Sequence, residues 1–471
     1  MKKYILLIFT LLILHNLIGC SSNKDNELKN ENNTNSKQGI STNNSSLCPT
    51  QLNPISSPDL IKLQNIDEIY NNLTEICKRP RPIESKAILT VKDYISTKME
   101  AYGYDIKYQD FQFTKLDIHT RLNAPTAKDY LSIQFDKDTN KSSGTNIIAS
   151  KQLNNQYKTL YICAHYDTTD DTSGEIDNGS GVVTILDIAR KIKYYALPIN
   201  IVFIFFSAEE TGMSGSCFFV SNLSDLDKKQ ALGCINIDCI CQKYSDSEIY
   251  KNINGMSENA LSLSIDSFHR FKSDDSSNSD HRPFYYGEIP SVSFTDWPYD
   301  VKDDTNHPMN NIDPDKVNQF SNLLVNYLCN FNLSEYTKYI DTNYKVDYSI
   351  KSNEIYILDY KLQELSHELI ANGSRSKLVC LFKNNNDKSI VLTVDNKRFI
   401  SSTELDKISK GKEYKGYHYY INEKSDGIEI HYSESSSTRH YAILSGNISE
   451  NEALKLIAHS ESVLQTLTFN K

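Results

Sequence analysis

Ile201-Val202-Phe203-Ile204-Phe205-Phe206 is an unbroken apolar run, and Ser207-Ala208-Glu209-Glu210-Thr211-Gly212 follows it directly. A strand with one face in solvent alternates polar and apolar residues. A run that is apolar at every position therefore predicts a strand covered on both faces, near the centre of a parallel sheet. Outward from it lie other short strand-like stretches: Asn146 to Ala149, Leu160 to Ala164, Gly233 to Ile237 and Ser291 to Phe294. Between them Val182, Leu186, Ala189 and Ile192 recur at helical spacing. Upstream, Ile88, Val91, Ile95 and Met99 do the same, with Gly103 as the stop. This alternation predicts an α/β fold, a mostly parallel mixed sheet covered by helices on both faces. Ligands then bind beyond the carboxyl ends of the strands.

Chemistry-bearing residues gather at those ends. His165 and Asp167 follow the strand ending at Ala164, and Asp177 precedes the Val182 helix. Glu209 and Glu210 follow the apolar run, Asp238 ends the strand Gly233 to Ile237, and His307 lies in a later loop. Carboxylates and imidazoles converging on one sheet edge are costly unless a positive charge neutralises them. A divalent cation does so, and nitrogen with oxygen ligands suits zinc, with manganese or cobalt as alternatives. One catalytic zinc needs three protein ligands. Five or six candidates point to two metals sharing a bridging carboxylate, at roughly 3.5–4 Å from one another.

The order His165-x-Asp167, Asp177-Asn178-Gly179-Ser180-Gly181, Glu209-Glu210-x-Gly212, Asn236-x-Asp238 resembles the di-zinc aminopeptidases of metallopeptidase family twenty-eight. Ser279-Asp280-His281 with Phe284, and Arg79 and Arg81 near the start, add to the likeness, which spans roughly residues 60–330. The resemblance implies a zinc exopeptidase fold holding two Zn2+. Asp177 would bridge the metals, His165 and Asp238 would complete one site, and Glu210 and His307 the other. Asp167 would accept the second ring N–H of His165. Glu209 would be the general base that takes a proton from metal-bound water and returns it to the leaving amine. The implied activity is hydrolysis of N-terminal residues from peptides. Two relatives of other activity share the fold: single-zinc acyltransferases like glutaminyl cyclase, and inactive binding proteins. Such cyclases often lack both the Asp-Asn pair and the Glu-Glu-x-Gly run found here. One departure is Asn306-His307-Pro308, where family peptidases commonly carry Tyr-His-Thr; Tyr285, Tyr286 or Tyr299 is then the candidate oxyanion donor.

The beginning of the chain reads as processing signal. Lys2 and Lys3 precede the apolar stretch Ile5 to Leu14, and Leu17-Ile18-Gly19-Cys20 resembles a bacterial lipobox. Residues 1–20 are thus expected to be a lipoprotein signal peptide, with Cys20 carrying a lipid. Residues 21–57 are rich in Ser, Asn, Lys and Thr and read as a disordered tether. The expected location is the cell membrane, lipid-anchored on the extracellular side. Residues 58–335 form the expected peptidase domain.

After residue 335 the pattern changes. Ile428, Ile430 and Tyr432 alternate, as do Tyr441 and Ile443, and Ser449-x-x-Glu452 reads as a capping box before a last helix. Residues 340–471 are expected to be a small α+β domain. Net charge over the 471 residues is −10, from 50 Lys and Arg against 60 Asp and Glu, which argues against a nucleic-acid partner. Ten Cys are too sparse for a disulfide scaffold. His281 reads as structural or orienting, and His269, His418, His431 and His440 as surface residues.

Overall fold

The computed structural model describes residues 63–469 apart from 117–119, 122–123, 125, 136–140, 194, 244–248, 253–257, 275–277, 297–310, 341–344, 348–354, 371–374, 396–406, 409, 426 and 435–440. Cys20, the tether 21–57, Tyr299, His307 and His440 lie outside the described residues. Among the described residues no helix is long and apolar enough to cross a membrane.

The first part opens with helices α1 (Ile66–Ile76) and α2 (Lys86–Ala101). Ser85 caps α2 by accepting the Ile88 N–H, and Gly103, at φ 86°, ends it in the left-handed conformation that glycine adopts without strain. Then come β1 (Asp105–Phe113), α3 (Ala127–Ser132), β2 (Ser142–Ser150), β3 (Thr159–His165), α4 (Ser180–Ile192), β4 (Asn200–Phe206), α5 (Ser214–Ser221), α6 (Asp225–Gln230) and β5 (Ala231–Ile237). They are followed by β6 (Ile249–Asn252), α7 (Ala260–Phe268), β7 (Lys272–Asp274), α8 (His281–Tyr286), β8 (Ser291–Asp296), α9 (Pro314–Cys329) and α10 (Leu333–Ile340). The eight strands form one mixed sheet in the order β1-β2-β4-β3-β5-β8-β6-β7. Its centre, β4-β3-β5-β8, is parallel.

The apolar run behaves as its composition requires. In β4, Ile201, Phe203 and Phe205 join the core beneath α1, α2, α4 and α9, while Val202, Ile204 and Phe206 join a second core beneath α5 and α8. In β3, Leu160, Ile162 and Ala164 face the first core, and Tyr161 and Cys163 the second. Period-two alternation thus feeds two apolar layers, which is why no polar residue interrupts these strands.

Past α10 a second sheet of nine strands begins, antiparallel throughout. Its strands are β9 (Lys345–Asp347), β10 (Tyr356–Ile357), β11 (Tyr360–Ile370), β12 (Arg375–Lys383), β13 (Ser389–Asp395), β14 (Lys412–Tyr414), β15 (Tyr417–Lys424), β16 (Gly427–Glu434) and β17 (Tyr441–Gly446). The chain ends in α11 (Glu450–Phe469), before which Ser449 Oγ accepts the Glu452 N–H at 3.3 Å. Leu454, Leu456 and Ile457 of α11 pack with Ile390, Leu392, Ile430 and Leu444 in a core of their own. The alternation at 428–432 and 441–443 marks only two of these nine strands. One surface expectation is corrected: His431 is buried, with Nε2 2.5 Å from Glu429 Oε1 and its ring stacked on Tyr420.

Candidate metal centre

Register brings the site together. His165, the last residue of β3, pairs with Phe206, the last of β4. On the other side Cys163 pairs with Asn236 of β5, so two residues further His165 stands level with Asp238. Asp177 reaches the same place from a five-residue irregular helical turn, Glu175–Gly179, that runs into α4. It does not cap that helix: its backbone is non-helical (φ −112°, ψ 93°), and Gly179 occupies the flanking position.

The His165 Nε2 atom lies 3.0 Å from Asp177 Oδ1 and 3.4 Å from Asp238 Oδ1. One ligand atom from each of the three residues falls within 4.8 Å of the others. Nε2 is buried yet makes no hydrogen bond of acceptable geometry. An orphaned imidazole nitrogen facing two carboxylate oxygens is a donor set that fits a divalent cation. Burial alone would push His165 down in pKa, but Asp238, Asp167 and Asp177 raise it well above the ordinary imidazole range.

The other imidazole nitrogen, Nδ1, lies 3.2 Å from the Asp167 carbonyl oxygen and 3.7 Å from its carboxylate. An Nδ1–H donating to that carbonyl leaves Nε2 as the lone-pair atom turned toward the carboxylates. The Asp167 carboxylate accepts two backbone N–H groups, from Glu209 at 3.1 Å and Glu210 at 3.3 Å. The chain reaches those amides through Ala208, held at φ 64°, a left-handed conformation that costs a non-glycine residue about 1 kcal/mol. Glu209 and Glu210 are half-buried. Burial raises Glu209 well above the carboxylate range, with Asp280, Glu210 and Asp238 adding to the rise and His165 opposing it. Burial and then Asp177 push Glu210 up to about 8. Burial raises Asp238 too, but His165, Ser279 and Cys239 bring it below its ordinary value.

Several supporting residues carry no role in the sequence reading. Ser279 Oγ donates to Asp238 Oδ2 at 2.6 Å, and Asn236 Nδ2 donates to Ser279 at 2.8 Å. Asn178 Nδ2 donates to the Ile237 carbonyl, and its Oδ1 accepts from Gly181, tying the Asp177 turn to the end of β5. Arg81 is fully buried and donates to the carbonyls of Tyr166, Ser173 and Gly174, in the loop between His165 and Asp177. Adjacency to a candidate ligand could have flagged Asn178; Arg81 belongs to the family likeness, but nothing local to it shows which carbonyls it holds. Tyr286 packs in the α5–α8 core, its ring 4.0 Å from that of Tyr130, with Tyr285 against the same core. The expected oxyanion role draws no support from that packing.

Residues 146–328 match the family model described as Peptidase family M28, a span that takes in every candidate ligand and Glu209. The chain is 34% identical over 165 residues to Aminopeptidase YwaD of Bacillus subtilis (strain 168), covering 33% of this chain and 36% of that protein. It is 30% identical over 105 residues to Leucine aminopeptidase 2 of Trichophyton rubrum, covering 22% and 21% respectively. The chain therefore spans about a third or less of the length of these curated relatives. Among solved structures, the aminopeptidase from Aneurinibacillus sp. strain AM-1 aligns with a TM-score of 0.49 at 16% identity, over 58% of this chain and 95% of that one. Macrostomum lignano glutaminyl cyclase aligns with a TM-score of 0.48 at 18% identity, over 60% and 97%.

Proposed function

We propose that the chain is a zinc-dependent exopeptidase, an aminopeptidase that removes N-terminal residues from peptides. The observation that carries this reading is the convergence of His165 Nε2 with the Asp177 and Asp238 carboxylates beside Glu209. The match of residues 146–328 to peptidase family M28 supports the same reaction class. His165, Asp177 and Asp238 would hold one zinc; Glu210 and His307, with Asp177 shared, would hold a second. When bound, zinc supplies Lewis-acid polarisation of the scissile carbonyl and acidifies water.

The chain's own residues do the rest. Glu209, a carboxylate with raised proton affinity, takes a proton from the attacking water and delivers it to the leaving amine. Asp167 fixes the Glu209 amide, and so the place from which that carboxylate works. A lipid on Cys20 and the tether 21–57 would hold the enzyme on the extracellular side of the cell membrane, acting on peptides there.

The test is metal content by elemental analysis alongside hydrolysis of a panel of aminoacyl nitroanilides. Two zinc ions per chain with nitroanilide cleavage are expected. Absence of both metal and cleavage would overturn the reading. One zinc without cleavage would point instead to the single-zinc acyltransferase chemistry.

A further inference from the structure

A chain of side-chain hydrogen bonds runs from two cysteines in the α5–α8 core to Asp238. Cys163 of β3 and Asn236 of β5 are register partners on neighbouring parallel strands. Cys234 stands two positions before Asn236 and so projects to the same face of the sheet. The Cys234 and Cys163 sulfurs are 3.3 Å apart, and the Cys163 S–H donates to Asn236 Oδ1 at 3.4 Å. At the other end of the amide, Nδ2 donates to Ser279 Oγ at 2.8 Å and to Ser293 Oγ at 3.0 Å. Ser279 Oγ in turn donates to Asp238 Oδ2 at 2.6 Å. All five side chains before Asp238 are buried, so a lost partner is not readily replaced by bulk water.

The orientation of the Asn236 amide decides where the Ser279 proton goes. A carboxamide has an acceptor end and a donor end, and a serine hydroxyl has one proton. With Oδ1 toward Cys163, the amide NH₂ faces Ser279, and the Ser279 proton is left for Asp238. With the amide turned over, Oδ1 would face Ser279 and Ser293 and take their protons, and Asp238 Oδ2 would lose its bond. The Cys163 thiol discriminates between the two states. It offers Oδ1 a proton in the observed one, whereas in the turned one the NH₂ would meet sulfur, a weak acceptor. The Cys234 proton, directed at the Cys163 sulfur, leaves the Cys163 proton for the amide.

We propose that Cys163 is a positioning residue for the metal centre: through Asn236 and Ser279 it sets the polarity of a relay that holds Asp238 Oδ2 and keeps Oδ1 on the side of His165 Nε2. The proposal rests on the zinc reading and adds to it a residue that touches neither the cation nor the substrate. It gives the buried cysteine pair a task that packing alone does not require.

The experiment measures the zinc affinity of the full chain by competition with a chromophoric chelator. Cys163→Ala and Cys163→Ser remove the same sulfur and leave nearly the same volume, but only serine keeps a donor. Cys163→Ala is expected to weaken zinc binding roughly fivefold or more, while Cys163→Ser retains most of the parent affinity. Ser279→Ala cuts the relay at its end, so adding Cys163→Ala to it should cause no further loss. Parent-like affinity in Cys163→Ala, equal losses with alanine and serine, or losses that add in the double variant would overturn the proposal. If Cys163→Ala does not fold, Cys163→Val, which fills the space without a donor, takes its place in the same comparisons. The parent chain separates the two failures. Zinc bound by the parent and unmoved by these variants removes the relay alone; no zinc bound by the parent removes the zinc reading and the relay with it.

Discussion

The backbone N–H of Glu209 donates to Asp167 Oδ1 at 3.1 Å, and the other oxygen of the same carboxylate takes the N–H of Glu210. Asp167 also presents its carbonyl to Nδ1 of His165. One residue thus links the β3 end, where His165 stands, to the turn after β4 that carries the proposed base.

Asp167→Asn should expose that link. An amide side chain keeps one acceptor but turns an NH₂ toward the other backbone N–H, so one of the two bonds becomes a donor–donor contact. Metal affinity or kcat/KM is expected to fall about 10–100-fold, as for other residues that orient a ligand. Titration with zinc and steady-state kinetics check it; unchanged values in both would remove the linking role.

Glu209→Gln should separate binding from chemistry. The substitution keeps the backbone amide on Asp167 and removes the proton acceptor. Metal content should stay as in the parent, while kcat falls roughly 10²–10⁴-fold. Parent-like turnover would mean that another group is the base.

Arg81→Lys tests the buried guanidinium. Its Nε, Nη1 and Nη2 atoms reach three carbonyls of the loop between His165 and Asp177. A single ammonium cannot span them, so lysine is not a conservative replacement. We expect a loss of stability on the order of 3 kcal/mol and a weaker zinc affinity. Full rescue of both by lysine would show that charge alone suffices.

Gly181→Ala should disturb the join between α4 and β5. A Cβ at this position would run into the Ile237 carbonyl and the Asn178 side chain. Neither is free to retreat, because each bonds the other. The expected cost is about 1–3 kcal/mol in urea unfolding, with weakened zinc binding because Asp177 and Asp238 flank the contact.

Acid should destabilise the fold through His281. Burial, helped by Arg282, lowers its pKa to about 3, although Asp238 opposes the shift. An unfolded histidine titrates near 6.5, so between about pH 6.5 and 3 the unfolded chain holds a proton that the folded chain refuses. This contribution to stability is complete above pH 6.5 and falls by about 1.4 kcal/mol per pH unit below it. Urea midpoints of the metal-free protein at pH 6.5 and 4.5 should show the loss. His281→Gln should flatten that part of the profile, and an unaltered profile would exclude His281 as its source.

Much of the first sheet is legible in the chain itself. Residues 201–206 are apolar at every position because both faces of β4 are covered, and a local pattern suffices to record that. Part of the candidate ligand set is also legible, because parallel neighbours end together and His165, Glu210 and Asp238 close or follow their strands within a few residues. The second sheet is legible only in part. Its strands are partly exposed, so apolar and polar positions mix, and two clear alternations stood for nine strands.

The tertiary structure alone decided the rest. Arg81 clamps carbonyls more than eighty positions away, and a carbonyl contact leaves no mark on residue type. Asp167 sits two residues past His165, but only the approach of the turn after β4 gives its carboxylate two backbone amides to hold. His431 looked like a surface residue until β15 and β16 buried it against Glu429. Asn178 and the Ile237 carbonyl, 59 positions apart, meet only when α4 packs against β5, because a hydrogen bond depends on positions in space and not on order along a chain.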